Sequence, residues 1–354
     1  MIDIEKRINV LITLGGVLNE ISDKLSLSAD TEFSKVIDRA GNENQWFTKQ
    51  SILKALKNWS FVLSSEEVNR WAELYKTGLQ QNKSAKNVAV INAGNIPFVG
   101  LHDMLSVFLS GHKYIGKNAT GDDVLLPYVA SLLKAIEPGI NESIHFVPKL
   151  EKMDAVIATG SNNSSRYFEY YFGKYPNIIR KNMNGVAVLD GNETSEELKN
   201  LGEDIFSYFG LGCRNVSKLY VPEKYNFNNF FESMYGFNEV MNHNKYMNNF
   251  DYNNSVFLLK QFPFLQNGFL IIREEKNIPS PISVLHYETY SDINTLIETL
   301  SVSEDKLQCI TVKKESGVLN DKLNNLTIEF GMSQLPSLTD YADRADTMQF
   351  LIGL

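Results

Sequence analysis

The sequence predicts an α/β protein: a helical N-terminal segment over residues 1–85, a Rossmann-type nucleotide-binding domain over 86–185, a second α/β domain over 186–335 and a tail over 336–354. Three observations carry this. Apolar residues recur at helical spacing through the first eighty or so positions, short apolar runs alternate with helix-length segments from Asn87 onward, and that alternation resumes after an Asn- and aromatic-rich stretch at 224–254.

A chain of 354 residues with 43% hydrophobic content can bury a core in each of two domains. Its net charge of −8 excludes a broad phosphate-binding surface, so no nucleic acid partner is expected. The N-terminus lacks a basic region followed by an apolar run and a cleavage site, and the apolar segment Val10–Leu18 is broken by Thr13, Gly15 and Gly16. No stretch approaches the roughly 20 apolar residues of a membrane span, and a cytoplasmic location is the expectation. Two cysteines, Cys213 and Cys309, make neither a disulfide scaffold nor a four-ligand zinc site, and no metal is expected.

Ile4, Ile8, Leu11, Leu18, Ile21 and Leu25 fall on one face of a first helix. A second follows Thr48, and a third begins at Ser64 with Glu67 completing a capping box and Gly78 as its stop. Strands are expected at 88–91, 114–115, 155–158 and 186–189, with helices at 99–109, 122–135 and 163–172 between them, which implies a mostly parallel sheet. Thr194 and Glu197 form another capping box, opening a helix toward Gly210. Strands near 217–221, 268–273, 283–287, 307–312 and 326–330, with a helix at 291–300, build the second α/β domain.

Cys213 lies in Gly210-Leu211-Gly212-Cys213-Arg214-Asn215, between a helix end and a strand. Glycines let that backbone approach a ligand, and Arg214 near the sulfur favours the thiolate, so the residue reads equally as a nucleophile or as a small cysteine buried at a turn. Cys309 sits in an apolar strand and reads as core. Asn95, in Asn92-Ala93-Gly94-Asn95-Ile96-Pro97, reads either as an amide donor for a developing oxyanion or as a turn residue bonding its own backbone. Thr159-Gly160-Ser161 stands between a strand and a helix, where free amides attract anions and where Gly and Ser also serve simply as caps. The Gly-x-Gly-x-x-Gly fingerprint is absent.

In order and spacing these segments resemble the aldehyde dehydrogenase superfamily, and within it the acyl-CoA reductase branch that includes the fatty-acid reductase of bacterial bioluminescence. The resemblance runs from about Val88 to Val221 and more faintly through Tyr341-Ala342-Asp343 and Asp346-Thr347. It implies Cys213 as the nucleophile and Asn95 as the oxyanion donor. A cofactor site is implied at Asn92, Lys117, Thr120, Thr159, Gly160 and Ser161, with Lys117 on the adenosine ribose. The family's Ser-Arg pair after the nucleophile is matched by Ser217 and Lys218.

Two departures sharpen the expectation. Aldehyde-oxidising members carry a Glu that activates water, whereas the matching stretch Arg180-Lys181-Asn182-Met183-Asn184-Gly185-Val186 holds no carboxylate. Thr120 stands where NAD-preferring members often place a Glu, which removes repulsion toward a 2′-phosphate and favours NADPH, with NADH as the alternative. The resemblance therefore implies reduction of an acyl-CoA or other acyl thioester to an aldehyde. Its rivals are oxidation of an aldehyde to acyl-CoA or acid, and a nucleotide-binding scaffold without chemistry. Family members are commonly dimeric or larger, so a homo-oligomer is implied as well. No histidine stands out as the general acid, and Phe227, Phe230, Phe231, Tyr235 and Phe237 read more readily as core than as an acyl tunnel.

Overall fold

The structure, a computed structural model, describes residues 2–27, 32–81, 84–314, 323 and 325–354. The chain forms two compact units, one of residues 1–182 with 336–354 and the other of residues 183–335.

The first unit opens with α1 (Ile4–Leu27), α2 (Glu32–Glu43), α3 (Lys49–Val62), α4 (Ser65–Leu74) and the one-turn α5 (Lys76–Leu79). On α1, Leu11 and Leu18 of the expected face are buried together with Val10 and Leu14, while Ile4, Ile8 and Ile21 are half-buried and the side chain of Leu25 lies outside the described residues. Thr48 caps α3 through its hydroxyl, which accepts from the Ser51 amide at 3.1 Å, an arrangement worth about 1 kcal/mol. Ser64 caps α4 in the same way, but the Glu67 carboxylate turns to Arg70 instead of closing the expected box. Gly78 is not a helix stop. It lies inside α5, where a Cβ would stand 2.6 Å from Ile352, so close packing explains the glycine.

Alternation then produces β1 (Asn87–Ile91), α6 (Leu101–Ser110), β2 (Lys113–Lys117), α7 (Leu125–Ile136), β3 (Ile144–Phe146), β4 (Ala155–Thr159), α8 (Asn162–Phe172) and β5 (Asn177–Arg180). Among the described residues these strands form one parallel sheet in the order β3-β2-β1-β4-β5. Val88, Ala89, Val90 and Ala155–Ala158 are almost wholly buried, as strands covered on both faces require. The short strands β3 and β5 escape sequence reading because three or four residues carry too little period to register.

Residues 336–354 fold onto this unit. Arg180, 3% exposed at the end of β5, makes a bidentate pair with Asp103 in the first turn of α6, at 2.6 and 2.8 Å. The same guanidinium donates to Thr347 at 2.8 Å, at the start of the C-terminal helix Thr347–Ile352. Trp71 donates to the Tyr341 hydroxyl at 2.8 Å, His102 to the Leu338 carbonyl at 3.0 Å and His112 to the Leu351 carbonyl at 2.9 Å.

The second unit contains β6 (Asn184–Val188), α9 (Ser195–Phe206), β7 (Val216–Pro222), α10 (Asn228–Met234), α11 (Asn244–Leu259), β8 (Leu265–Gln266), β9 (Ile271–Glu274), β10 (Val284–Tyr290), α12 (Ile293–Val302), β11 (Leu307–Val312) and β12 (Thr327–Glu329). Its sheet runs β12-β11-β6-β7-β10-β9-β8, parallel except for β8. Both halves of the Thr194–Glu197 capping box are formed at the start of α9. Residues 224–254, an irregular or helical region by composition, fold mainly as α10, a 3-10 segment and α11. No helix among the described residues is long and apolar enough to cross a membrane.

Arg180→Met, which leaves the Asp103 carboxylate buried without its counter-charge, is expected to destabilise the first unit by about 3–5 kcal/mol. All three tryptophans, Trp46, Trp59 and Trp71, belong to this unit, so urea unfolding followed by tryptophan fluorescence reads the loss directly.

Candidate functional site

In the first unit, the residues singled out by sequence gather at the C-terminal ends of adjacent parallel strands. Lys117 ends β2 opposite Ile91 of β1, Asn92 follows β1 immediately, and Thr159 ends β4 one step beyond the Ile91–Ala158 pair. The chain leaves β1 toward β2 on one side and reaches β4 on the other, so the crevice at this switch of direction is the natural ligand position in an open parallel sheet.

Asn92 is buried and holds the turn together. Its amide nitrogen donates to the Tyr114 hydroxyl at 2.8 Å and to the Asn118 side chain at 2.9 Å, and its backbone amide bonds the Lys117 carbonyl. Its side-chain oxygen is buried with no hydrogen-bond partner among the described residues. Gly100 makes room for it, since a Cβ there would stand 2.1 Å from that oxygen. Asn95 is exposed on the bend that precedes Pro97, and Phe98 after it adopts φ +59°, a costly left-handed conformation for a bulky residue. Asn44 pins this loop from the helical segment by donating to the Gly94 carbonyl at 3.1 Å.

Lys117 and Thr120 are exposed. Across β1, Ser161 is the N-cap of α8, its hydroxyl accepting from the Ser164 amide at 3.2 Å, while Gly160 fits closely against Phe168 and Ser164. Thr159 accepts from Arg180 at 3.3 Å. Thr159 and Ser161 thus bond within the fold, while Lys117 and Thr120 face solvent at the same end of the sheet.

Sequence reasoning missed Asp122, two residues beyond Thr120. It is 2% exposed and neither carboxylate oxygen has a hydrogen-bond partner among the described residues. Desolvation first, with like charge from Asp123 and Glu43 added, pushes its pKa up to about 8, so it is largely uncharged at neutral pH. The run Gly-Asp-Asp in a turn signals solvent exposure, and nothing local reveals that one of the two aspartates points inward.

In the second unit, α9 passes through a 3-10 turn, Ser207–Gly210, in which Tyr208, Phe209 and Gly210 all have positive φ (52°, 59° and 77°). Asn215 closes the loop that follows. It is 3% exposed, donates to the Asp204 and Ser207 carbonyls at 2.9 Å each, and accepts from the Gly212 amide at 2.8 Å. Cys213 is left exposed at the crown, and Arg214 beside it is buried. Cys309 is buried in β11, its thiol 3.6 Å from the Arg214 carbonyl.

Ser217 and Lys218 fix the strand that leaves the loop. The Ser217 hydroxyl reaches the Ile278 carbonyl at 3.1 Å and the Gly185 carbonyl at 3.3 Å. Lys218, wholly buried, pairs with Glu288 at 2.6 Å, donates to the Lys276 carbonyl at 2.8 Å and lies over the Tyr220 ring. Under the loop lies a cavity of about 40 Å³, lined by Phe209, Ser217 and Tyr246 among others, which is room for about one water molecule.

Four of the five histidines serve the fold, and His145 is exposed on β3. His102 is buried among the Trp59, Trp71 and Tyr341 rings, His112 also accepts from the Lys86 amide, His243 caps α11, and His286 donates to the Asn277 carbonyl. Burial lowers the pKa of His102 and of His286. Of the five aromatics at 227–237, Phe227 and Phe230 are core, Phe237 stacks on Phe206 and Tyr235 is exposed. Among the described residues no group of three His, Cys, Asp or Glu is placed to hold a metal.

Asp122→Asn is expected to abolish one component of the pH dependence of stability. With a folded pKa above the unfolded value of about 3.9, Asp122 contributes stability that is complete below pH 4 and is lost progressively as pH rises through 8. The variant should therefore gain on the wild type between pH 5 and 8, by about 1.4 kcal/mol for each pKa unit removed. Urea midpoints measured across that range check the sign, and parallel curves for the two proteins contradict it.

No protein-family model matches the sequence, and no curated protein matches it. Solved structures match it in fold. Aldehyde dehydrogenase 21 from Physcomitrella patens, in complex with the reaction product succinate, aligns with a TM-score of 0.68 at 13% identity, over 100% of this chain and 84% of that one. A mutant indole-3-acetaldehyde dehydrogenase from P. syringae, in complex with NAD+ and IAA, gives 0.63 at 13% identity over 93% and 76%. An NADP-dependent enzyme from E. coli gives 0.63 at 12% identity over 94% and 79%. The chain therefore has the aldehyde dehydrogenase fold, with a Rossmann-like unit and a second α/β unit.

Proposed function

We propose that the protein is an oxidoreductase of the aldehyde and acyl-thioester level that reduces an acyl-CoA or similar thioester to an aldehyde through an acyl-enzyme on Cys213. The observation that carries this reading is the Cys213 loop, in which a buried asparagine and three left-handed residues hold an exposed thiol at the start of a strand. A cysteine kept only for packing would sit as Cys309 does.

The first unit's residues fit a nicotinamide dinucleotide. The strand ends form a switch-point crevice, the α8 N-terminus suits a phosphate, Lys117 suits a ribose hydroxyl, and the buried Asn92 oxygen lacks a donor. NADPH is the preferred form in this reading, because Thr120 is uncharged and Asp122 is largely neutral at pH 7. When bound, the nicotinamide supplies the hydride that brings the acyl group to the aldehyde level.

The Cys213 thiolate attacks the thioester carbonyl carbon, and the displaced electron pair moves onto oxygen. The Cys213 backbone N–H donates to that oxyanion, and the family resemblance implies the Asn95 amide as a second donor. Its collapse breaks the bond to the carrier thiol, which leaves and takes a proton from solvent, and the acyl group stays on Cys213. After reduction, collapse of the thiohemiacetal breaks the bond to Cys213 and releases the aldehyde. Residues 180–186 hold no carboxylate to activate water, and Arg180 is committed to Asp103, which favours reduction over hydrolysis.

Cys213→Ala should abolish NADPH-dependent aldehyde formation from acyl-CoA, whereas Cys309→Ala should retain most of it. A fully active Cys213→Ala enzyme overturns the assignment, and carboxylate formed from an aldehyde without added thiol points to oxidation. Asn95→Ala should lower the rate by roughly 10² to 10³ if its amide holds the oxyanion. Steady-state kinetics with unchanged kcat would leave Asn95 as a turn residue alone.

A further inference from the structure

At the N-terminal ends of the first unit's strands, the start of α1, the end of α5, the turn after α6 and the C-terminal helix enclose a cavity of about 340 Å³. Gly111 and His112, which line it, directly precede β2, so the cavity lies at the opposite end of the strands from Asn92, Lys117 and Ser161. Its volume falls in the range of small-molecule sites, about 300–1,000 Å³.

Arg7 lines this cavity and is only 6% exposed. Its Nη1 is buried with no hydrogen-bond partner among the described residues, and its Nε reaches only the Asp3 carbonyl, at a long 3.4 Å. A guanidinium keeps its proton at any ordinary pH, and the desolvation of Arg7 outweighs the opposing charge of Asp3 nearby. The Asp3 carboxylate makes no ion pair with it and instead caps α1, accepting from the Lys6 amide at 2.8 Å. Ile2, Asp3 and Ile4 also line the cavity, so the positive end of a 24-residue helix opens onto the same space.

We propose that this cavity binds a small anionic ligand whose phosphate or carboxylate group pairs with Arg7 at the start of α1. Two independent features converge on that chemistry: a buried guanidinium with one nitrogen left without a hydrogen bond among the described residues, and a helix N-terminus, both bordering a ligand-sized space. Gln81 and His112 supply polar wall, and Ile352 supplies an apolar one. The ligand is therefore a compact organic anion or its inorganic equivalent, held by one charge and a few polar contacts.

The test uses the full chain, with calorimetric titration and thermal unfolding in inorganic phosphate and, separately, in acetate, at ionic strength fixed with sodium chloride. The wild type should bind one of the two saturably, and the stronger arm tells phosphate from carboxylate. Arg7→Met should weaken that binding by about tenfold or more. Asp3→Asn should tighten it, because asparagine caps a helix equally well and removes the competing negative charge. Neither anion binding beyond the effect of chloride overturns the proposal, as does equal binding by wild type and Arg7→Met. Should Arg7→Met fail to fold, Asp3→Asn decides alone, and unchanged or weaker binding there overturns it. The readout is binding, so the outcome stands apart from the chemistry assigned to Cys213.

Discussion

The ion pair between Arg180 and Asp103 is the contact on which the first unit turns. Asp103 sits in the first turn of α6, directly after the Asn92–Gly100 loop, and Arg180 ends β5 next to Thr159. One guanidinium thereby touches the helix that follows β1, the last residue of β4 and the start of the C-terminal helix. Burying two charges is costly and is recovered only through close, well-aimed contacts, here the bidentate pair with Asp103 and the bond to Thr347, so few arrangements of these elements suit it. The carboxylate also lies near the positive end of α6, which adds to the pairing. Because the loops that bear Asn95, Lys117 and Ser161 spring from strands or helices in this same sheet, their positions follow from it.

The second unit solves a related problem without charge. A loop that must present a side chain cannot rely on sheet hydrogen bonds, and this one substitutes Asn215, whose carboxamide satisfies two carbonyls and an amide of its own loop. Tyr208 and Phe209 hold left-handed backbone that aromatic residues rarely adopt, and contacts such as the half-buried Phe209–His243 ring pair at 4.3 Å oppose its relaxation. Lys218 and Ser217 then tie the strand after Cys213 to residues 276–278, so the loop is anchored at both ends.

Much of this was legible in the sequence, and the exceptions share a cause. The alternation of apolar runs with helices identified the parallel sheet, because strands such as Val88–Ile91 and Ala155–Ala158 are buried on both faces and must be apolar throughout. The Thr194–Glu197 box was legible since capping is local. Glu67 was misjudged because Arg70, one turn on, offers a competing charge. Lys218–Glu288, Arg180–Asp103 and Tyr341–Trp71 join residues 70 to 270 positions apart, and no local pattern encodes such partners. Asp122 and Arg7 were illegible for the same reason: a charged residue in a polar stretch predicts exposure, and only the packed neighbours show otherwise.

The two cysteines show how position alone divides one chemistry into two fates. Cys309 occupies a strand in which every residue is buried, and its thiol reaches the Arg214 carbonyl at 3.6 Å. Cys213 is exposed on a turn that Asn215 braces by bonding the Gly212 amide and the Asp204 and Ser207 carbonyls. An exposed thiol on a rigid mount is what attack on a carbonyl requires, since the entropy of positioning has been met during folding. What such an acyl group does next depends on which acceptors surround it. In the proposed reaction, residues 180–186 offer water no carboxylate as a base, which favours hydride transfer over hydrolysis.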